Sequence, residues 1–376
     1  MARLVGQTTV RIPLFAARPA IEALLPEVAA RQRAVLDSGS YILGPELEAF
    51  ETEFAAYLGV AHCVGVGNGT DALTIALRAL GVGPGDEVIV PALTFYATAE
   101  AVVNAGARPV FCDVDPDTYV ITAATVEPVI GERTRAIVPV HLFGNPAPMS
   151  ELGELASAHG LRVLEDAAQA AGARYQGARA GALGDAATFS FFPGKNLGGF
   201  GDGGAVVTDD DEVAALARRL RFHGSEDKRL HTEVGYNSRL DDLQAAGLRV
   251  LLPQLDEWTA ARRAAAAGYA AAGLGELVTL PTETAGGESC YHLYVVVTDD
   301  PETLQAALAK RGIGSRPYYT IPMHRQPGLA GFAPPQPLPE AERVAAGNLA
   351  LPIGQSLGVE EVREVVEAVS EALGSL

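Results

Sequence analysis

Seven short apolar runs follow one another between Val60 and Thr208, with helical patterns between many of them: Cys63–Val66, Glu87–Val90, Ala107–Phe111, Ala136–Val140, Arg162–Leu164, Ala187–Phe191 and Ala205–Val207. A strand that is apolar at nearly every position is covered on both faces, and strands joined through helices pair in parallel. The pattern therefore predicts an α/β fold, with a mostly parallel seven-stranded central sheet and helices on both faces. The glycine-rich stretch before Ala205 is hairpin-like and can reverse one strand. Asp210–Arg221 and Leu240–Leu252 read as helices, the second leading through Pro253 into a new unit. Past about Val250 the order becomes helix (Trp258–Leu274), strand (Tyr291–Val297), helix (Pro301–Arg311), a proline- and aromatic-rich loop (Ser315–Leu338) and a closing helix (Val359–Leu373), which reads as a smaller C-terminal α+β domain.

The chain is 376 residues long, enough to bury a sizeable core in one large and one small domain. Its formal charge of −18 argues against nucleic acid and against anionic membrane surfaces. Three widely spaced cysteines, Cys63, Cys112 and Cys290, indicate neither a disulfide framework nor a metal site, and point to a reducing, cytoplasmic home. Met1–Gln7 lacks a long apolar stretch, and no run approaches the roughly 18 apolar residues of a membrane span.

Three local features carry chemistry. Lys195 lies in Phe192-Pro193-Gly194-Lys195-Asn196-Leu197-Gly198-Gly199, a turn between two apolar runs. A lone loop lysine is usually solvated, but one whose amine is desolvated can form an imine. Glu165-Asp166-Ala167-Ala168-Gln169 ends another run in a carboxylate, where open α/β sheets keep functional side chains, although Asp166 also fits a helix N-cap. Lysine and acid together are what a pyridoxal phosphate (PLP) site needs, the acid pairing with the ring nitrogen. Gly65-Val66-Gly67-Asn68-Gly69-Thr70 runs from a strand pattern into a helical one, offering either a phosphate cradle or an ordinary capped helix. Its glycine spacing matches no dinucleotide fingerprint, and the Walker lysine is missing.

In order along the chain stand Ser38-Gly39-Ser40-Tyr41-Ile42-Leu43-Gly44-Pro45, Gly67-Asn68-Gly69-Thr70-Asp71-Ala72-Leu73, Gly83-Pro84-Gly85-Asp86-Glu87-Val88, Thr94-Phe95-Tyr96-Ala97-Thr98, Glu165–Gln169, the lysine segment and Gly235-Tyr236-Asn237-Ser238-Arg239-Leu240-Asp241-Asp242. The series resembles the DegT/DnrJ/EryC1/StrS family of PLP-dependent sugar aminotransferases, which have the aspartate aminotransferase fold (fold type I), from about Ser38 to about His324. The resemblance implies a large PLP-binding domain over residues 1–249, including an N-terminal segment, and a small domain over 250–376. It places Lys195 as the catalytic lysine and Asp166 at the ring nitrogen. Phe95 would stack on the ring, and Gln169 would bond its oxygen. Gly69, Thr70 and Ser190 would hold the phosphate, and Asn237 would reach it from the other subunit of a homodimer.

The same resemblance implies transfer of an amino group from an amino acid, glutamate by expectation, through pyridoxamine phosphate to the keto carbon of a nucleotide sugar. Arg239, Tyr318, Tyr319, His324 and Tyr41 are the expected substrate-binding residues. The lysine segment resembles the branch acting at C-3, on a dTDP-3-keto-6-deoxyhexose or a UDP-3-keto-N-acetylglucosaminuronate. One departure stands out, since Tyr318 replaces the first histidine of the His-Tyr pair common in 3-keto-6-deoxyhexose enzymes. A C-4 aminotransferase and a non-catalytic binding or regulatory protein remain as alternatives. The second predicts a damaged site, and every cofactor-binding position is intact.

Overall fold

The computed structural model describes residues 10–15 and 17–374, so both expected domains begin or end in residues (1–9, 375 and 376) outside those described. The seven predicted strands form one sheet: β1 (His62–Val66), β2 (Glu87–Pro91), β3 (Arg108–Cys112), β4 (Thr134–Ile137), β5 (Arg162–Asp166), β6 (Ala186–Ser190) and β7 (Gly204–Thr208). Their spatial order is β1-β7-β6-β5-β4-β2-β3. Every pairing from β6 across to β3 is parallel, whereas β7 runs antiparallel to both β6 and β1. The reversed strand is the one that follows the glycine-rich stretch.

Alternation along the strands sends side chains to two cores. On β7, Val206 joins one cluster with Val64 and Leu77, while Ala205 and Val207 join the other with Phe50, Phe54 and Phe189. Helices therefore cover both faces, as the doubly apolar strands require. Those that matter for the site are α1 (Leu25–Ser38), α2 (Pro45–Leu58), α3 (Gly69–Ala79), α4 (Ala97–Asn104), α5 (Met149–His159), α6 (Asp211–Arg221) and α7 (Asp242–Leu251).

A third cluster, including Ile12, Tyr269, Val296, Leu349 and Val365, lies in the C-terminal part. It is built by α8 (Leu255–Ala271), α9 (Pro301–Lys310), α11 (Val359–Gly374) and an antiparallel pair of strands, β8 (Tyr294–Val297) and β9 (Asn348–Leu351), while α10 (Pro339–Gly347) buries Ala341, Val344 and Ala345 in the first sheet core. Packing is continuous across residue 250, because Leu293, Val295, Met323 and Val344 belong to the first sheet core. Three two-residue strands, at 174–175, 178–179 and 287–288, make a small sheet that ties the two parts together.

One long-range cap fixes the N-terminal loop. The buried Asp242 carboxylate accepts the backbone N–H groups of Gly44, Glu46 and Leu47 at 2.9, 3.0 and 3.3 Å, satisfying the open start of α2. A Cβ at residue 44 would lie 2.7 Å from Asp242 Oδ1, so only glycine allows this approach. The adjoining Tyr41 carbonyl accepts the Asp242 N–H at 3.0 Å, which holds the Ser40–Ile42 loop in place.

Candidate active site

The candidate residues converge beyond the C-terminal ends of the parallel strands, where open α/β sheets bind ligands. Asp166 ends β5 and is 5 % exposed. Its Oδ2 accepts from Thr98 Oγ1 at 2.8 Å and its Oδ1 from the Ala168 N–H at 3.2 Å. Burial raises this carboxyl above its ordinary range, while Thr98, the Ala168 N–H, Lys195 and His141 pull it back.

Lys195 sits on the turn after β6, its N–H bonded to the Phe192 carbonyl at 2.8 Å. The turn is tight enough that a Cβ at Gly198 would meet Pro193 O at 2.6 Å. Desolvation pulls the amine down to about 8, against the opposing pull of Asp166 and then Cys290. His292, fully buried nearby, is held well below its ordinary value by burial, then by Lys195 and Arg262. Its Nδ1 lies 3.1 Å from Asn196 Oδ1, and the Asn196 amide donates to Cys290 O at 3.0 Å. That pairing makes Nδ1 the donor of a neutral ring, so no second cation competes beside the lysine.

Gln169, three residues past Asp166, is fixed at both ends of its amide. Its Oε1 accepts the Phe143 N–H at 2.7 Å, and its Nε2 donates to Tyr319 Oη at 2.7 Å. Tyr319 stacks on Phe143, with centroids 6.0 Å apart and rings 3° from parallel, and lies 6.1 Å from the Phe95 ring. Phe95 itself is 56 % exposed, which leaves its ring available for stacking.

Opposite these groups, α3 begins at Gly69. Asn68 Oδ1 accepts the Asp71 N–H at 2.8 Å, and the first helical N–H groups, at Gly69 and Thr70, have no carbonyl of their own turn to bond. A Cβ on residue 69 would stand 2.9 Å from Ser190 Cβ, so glycine lets β6 and the helix start close together. Helix N–H groups, the Thr70 and Ser190 hydroxyls and the positive helix end form a cradle suited to a phosphate. With an amine of depressed pKa, a buried carboxylate, an oriented amide and an open aromatic face, the donor set fits PLP.

The other predicted residues lie further out. Ser238 ties its segment to the cradle, accepting from the Gly67 N–H at 2.9 Å and donating to Asp71 Oδ2 at 2.6 Å. The neighbouring Asn237 is exposed, its side-chain oxygen accepting from Arg239, whose guanidinium also lies 5.5 Å from the Phe222 ring centre. Tyr41 is 46 % exposed, its hydroxyl 3.3 Å from the Leu36 carbonyl. Tyr318 packs edge-on against Tyr319 and donates its backbone N–H to the Asn348 side-chain oxygen, 2.7 Å away. His324 is buried and bonded through Nε2 to Glu342 of α10 at 2.9 Å, while its Nδ1 is buried with no hydrogen-bond partner among the described residues.

Sequence reading missed Thr94, Thr98, Phe143 and the buried pair His141–Glu165. Glu165 accepts three backbone N–H groups, from Gly181, Leu183 and Gly184, and lies 2.9 Å from His141 Nε2. The Ala147 N–H points at His141 Nδ1 at 3.0 Å, so Nε2 carries the ring proton and donates it to Glu165. Glu165 and Thr98 each stood inside a recognised motif, which was the only available signal.

A model of the DegT/DnrJ/EryC1/StrS aminotransferase family matches residues 24–370. A Streptomyces venezuelae dTDP-3-amino-3,4,6-trideoxy-alpha-D-glucose transaminase is 50 % identical over 366 residues, covering 96 % of each chain. A Geobacillus stearothermophilus protein named a pleiotropic regulatory protein is 47 % identical over 96 % of this chain and 98 % of its own. Among solved structures, S. venezuelae DesV in complex with a ketimine intermediate superposes with a TM-score of 0.93 at 49 % identity, over 96 % of this chain and 98 % of that one.

Proposed function

The chain belongs to the DegT/DnrJ/EryC1/StrS aminotransferase family, and from that premise we propose that it is a 3-aminotransferase acting on a dTDP-3-keto-6-deoxyhexose with glutamate as donor. It is a PLP-dependent sugar aminotransferase. The observation that carries the residue assignment is a desolvated lysine, its amine held down to about 8, that feels the charge of the buried carboxylate ending β5.

When bound, PLP supplies an aldehyde for amine exchange and a protonated ring that draws electrons from the reacting carbon. Lys195 Nζ, part neutral near pH 8, is ready to add to a carbonyl and to carry protons. It takes the proton from the α-carbon of the amino acid and, in the second half of the cycle, delivers one to C-3 of the sugar. Asp166 would pair with the ring nitrogen and hold its proton. Gln169 would bond the ring oxygen with the N–H that Tyr319 leaves free. Phe95 covers the ring face, and Gly69, Thr70 and Ser190 bind the phosphate. Tyr41, Arg239, Tyr318, Tyr319 and His324 line the sugar side, with Arg239 available as a bidentate clamp for the donor carboxylate.

The working form is a homodimer in the cytoplasm, with Asn237 reaching the partner's phosphate site. Exposed apolar side chains near that segment support the reading, among them Leu230 at 70 % and Val234 at 83 % exposed. The large unit is read as extending to residue 249 and the small one as starting at 250, with Ile12 of the N-terminal segment packed on the small unit. No helix among the described residues is long and apolar enough to cross a membrane. The regulatory reading that the G. stearothermophilus name suggests is disfavoured by the complete lysine, acid and cradle set.

The test is product regiochemistry. Incubation with glutamate and a dTDP-3-keto- or dTDP-4-keto-6-deoxyhexose, followed by NMR of the product, should place the amine at C-3. An amine at C-4 removes the proposal.

A further inference from the structure

Thr98 is buried in the first turn of α4, at 1 % exposure, and Thr94 just ahead of the helix is equally covered. A buried helical threonine commonly returns its hydroxyl to the carbonyl four residues earlier, as Thr74 does to Thr70 O at 3.1 Å. Thr98 instead directs Oγ1 at Asp166 Oδ2, 2.8 Å away, and stands 3.0 Å from Thr94 Oγ1. An ionised carboxylate has no proton to give, so the single Thr98 proton goes to Oδ2. The Thr94 contact must then be filled by the Thr94 proton. The two hydroxyls form a directed chain from Thr94 to Thr98 to Asp166, while the Ala168 N–H holds the other carboxylate oxygen.

Charge-assisted donors on both oxygens favour the charged form of a buried acid and fix its plane. We infer that Thr98, backed by Thr94, is a positioning residue that keeps Asp166 ionised and aimed at the cofactor ring nitrogen, an inference that rests on the role proposed above for Asp166. The hydroxyls bond each other and Asp166. Their effect passes through Asp166, so it depends on the ring atom that Asp166 faces.

That dependence supplies the test. The full-length protein is stripped of cofactor and titrated with PLP and with 1-deaza-PLP, in which carbon replaces the ring nitrogen. Thr98→Val, which keeps the shape and removes the hydroxyl, should weaken PLP binding about tenfold, as expected for a hydrogen bond to a charged group. Binding of the deaza analogue should be unchanged, and Thr98→Ser should restore PLP binding. Thr94→Val should give the same selective loss in smaller measure, and it serves if Thr98→Val does not fold. Equal losses for both ligands would mean a merely structural role and overturn the inference, as would no loss in either valine variant. Wild-type protein that binds both ligands equally would remove the reading of Asp166 itself, a failure told apart because it needs no variant.

Discussion

Tyr319 accepts a 2.7 Å hydrogen bond from the Gln169 amide, linking residues 150 positions apart. The C-terminal segment thereby sets the direction of a side chain at the end of the central sheet, and the Phe143 N–H on Gln169 Oε1 removes the alternative amide flip. Tyr319→Phe keeps the stacking on Phe143 and loses only this bond. It should lower kcat/KM roughly tenfold with little change in thermal stability, as for one neutral hydrogen bond. Steady-state kinetics beside a melting curve decide it, and unaltered kinetics would mean that Gln169 needs no such support.

With Lys195 as the proposed catalytic residue, Lys195→Ala should abolish turnover while leaving the fold intact and the phosphate cradle able to hold PLP weakly. Circular dichroism, PLP titration and a product assay together check this. Retained turnover would sink the mechanism.

The depressed lysine also makes a stability prediction. Its value falls from 10.5 to about 8 on folding, so between those limits the unfolded chain binds more protons than the folded one. Stability of the cofactor-free protein should therefore rise with pH across that window, and the penalty should be complete below about 8. Lys195→Met removes the penalty, and should melt roughly 1–3 °C above wild type at pH 7, with the gap closing towards pH 10.5. A gap independent of pH would show that the lysine is not desolvated.

Asp242→Ala should destabilise the protein by about 2–4 kcal/mol, because three backbone N–H groups at the start of α2 lose their acceptor in the interior. Denaturant unfolding measures it. A loss below about 1 kcal/mol would mean that water replaces the carboxylate.

The proposed sharing of sites across a homodimer predicts complementation. Lys195→Ala and Asn237→Ala proteins, each inactive, should regain up to about a quarter of wild-type activity when mixed and reassembled, since a hybrid of a two-fold dimer holds one intact site. No recovery in confirmed hybrids would place Asn237 in its own subunit's site.

Much of this molecule was legible because its signals are local. Every strand of the central sheet reads as an apolar run, with ends off by up to three residues, as where β4 spans Thr134–Ile137 rather than Ala136–Val140. Lys195 on its glycine turn and Asp166 at a strand end are features of single segments. By contrast β9 and α10 were not foreseen, because Asn348-Leu349-Ala350-Leu351 is a short run whose partner strand β8 lies some fifty residues away. Thr98 and Asp166 meet across 68 residues, and Gly44 and Asp242 across 198. Such contacts leave no periodicity to read.

The most direct test of the central claim is the visible absorption spectrum of the purified protein with PLP, before and after glutamate. The account predicts a yellow band that depends on Lys195 and bleaches as glutamate hands over its amino group. No band with wild-type protein, or a band indifferent to glutamate, would contradict it.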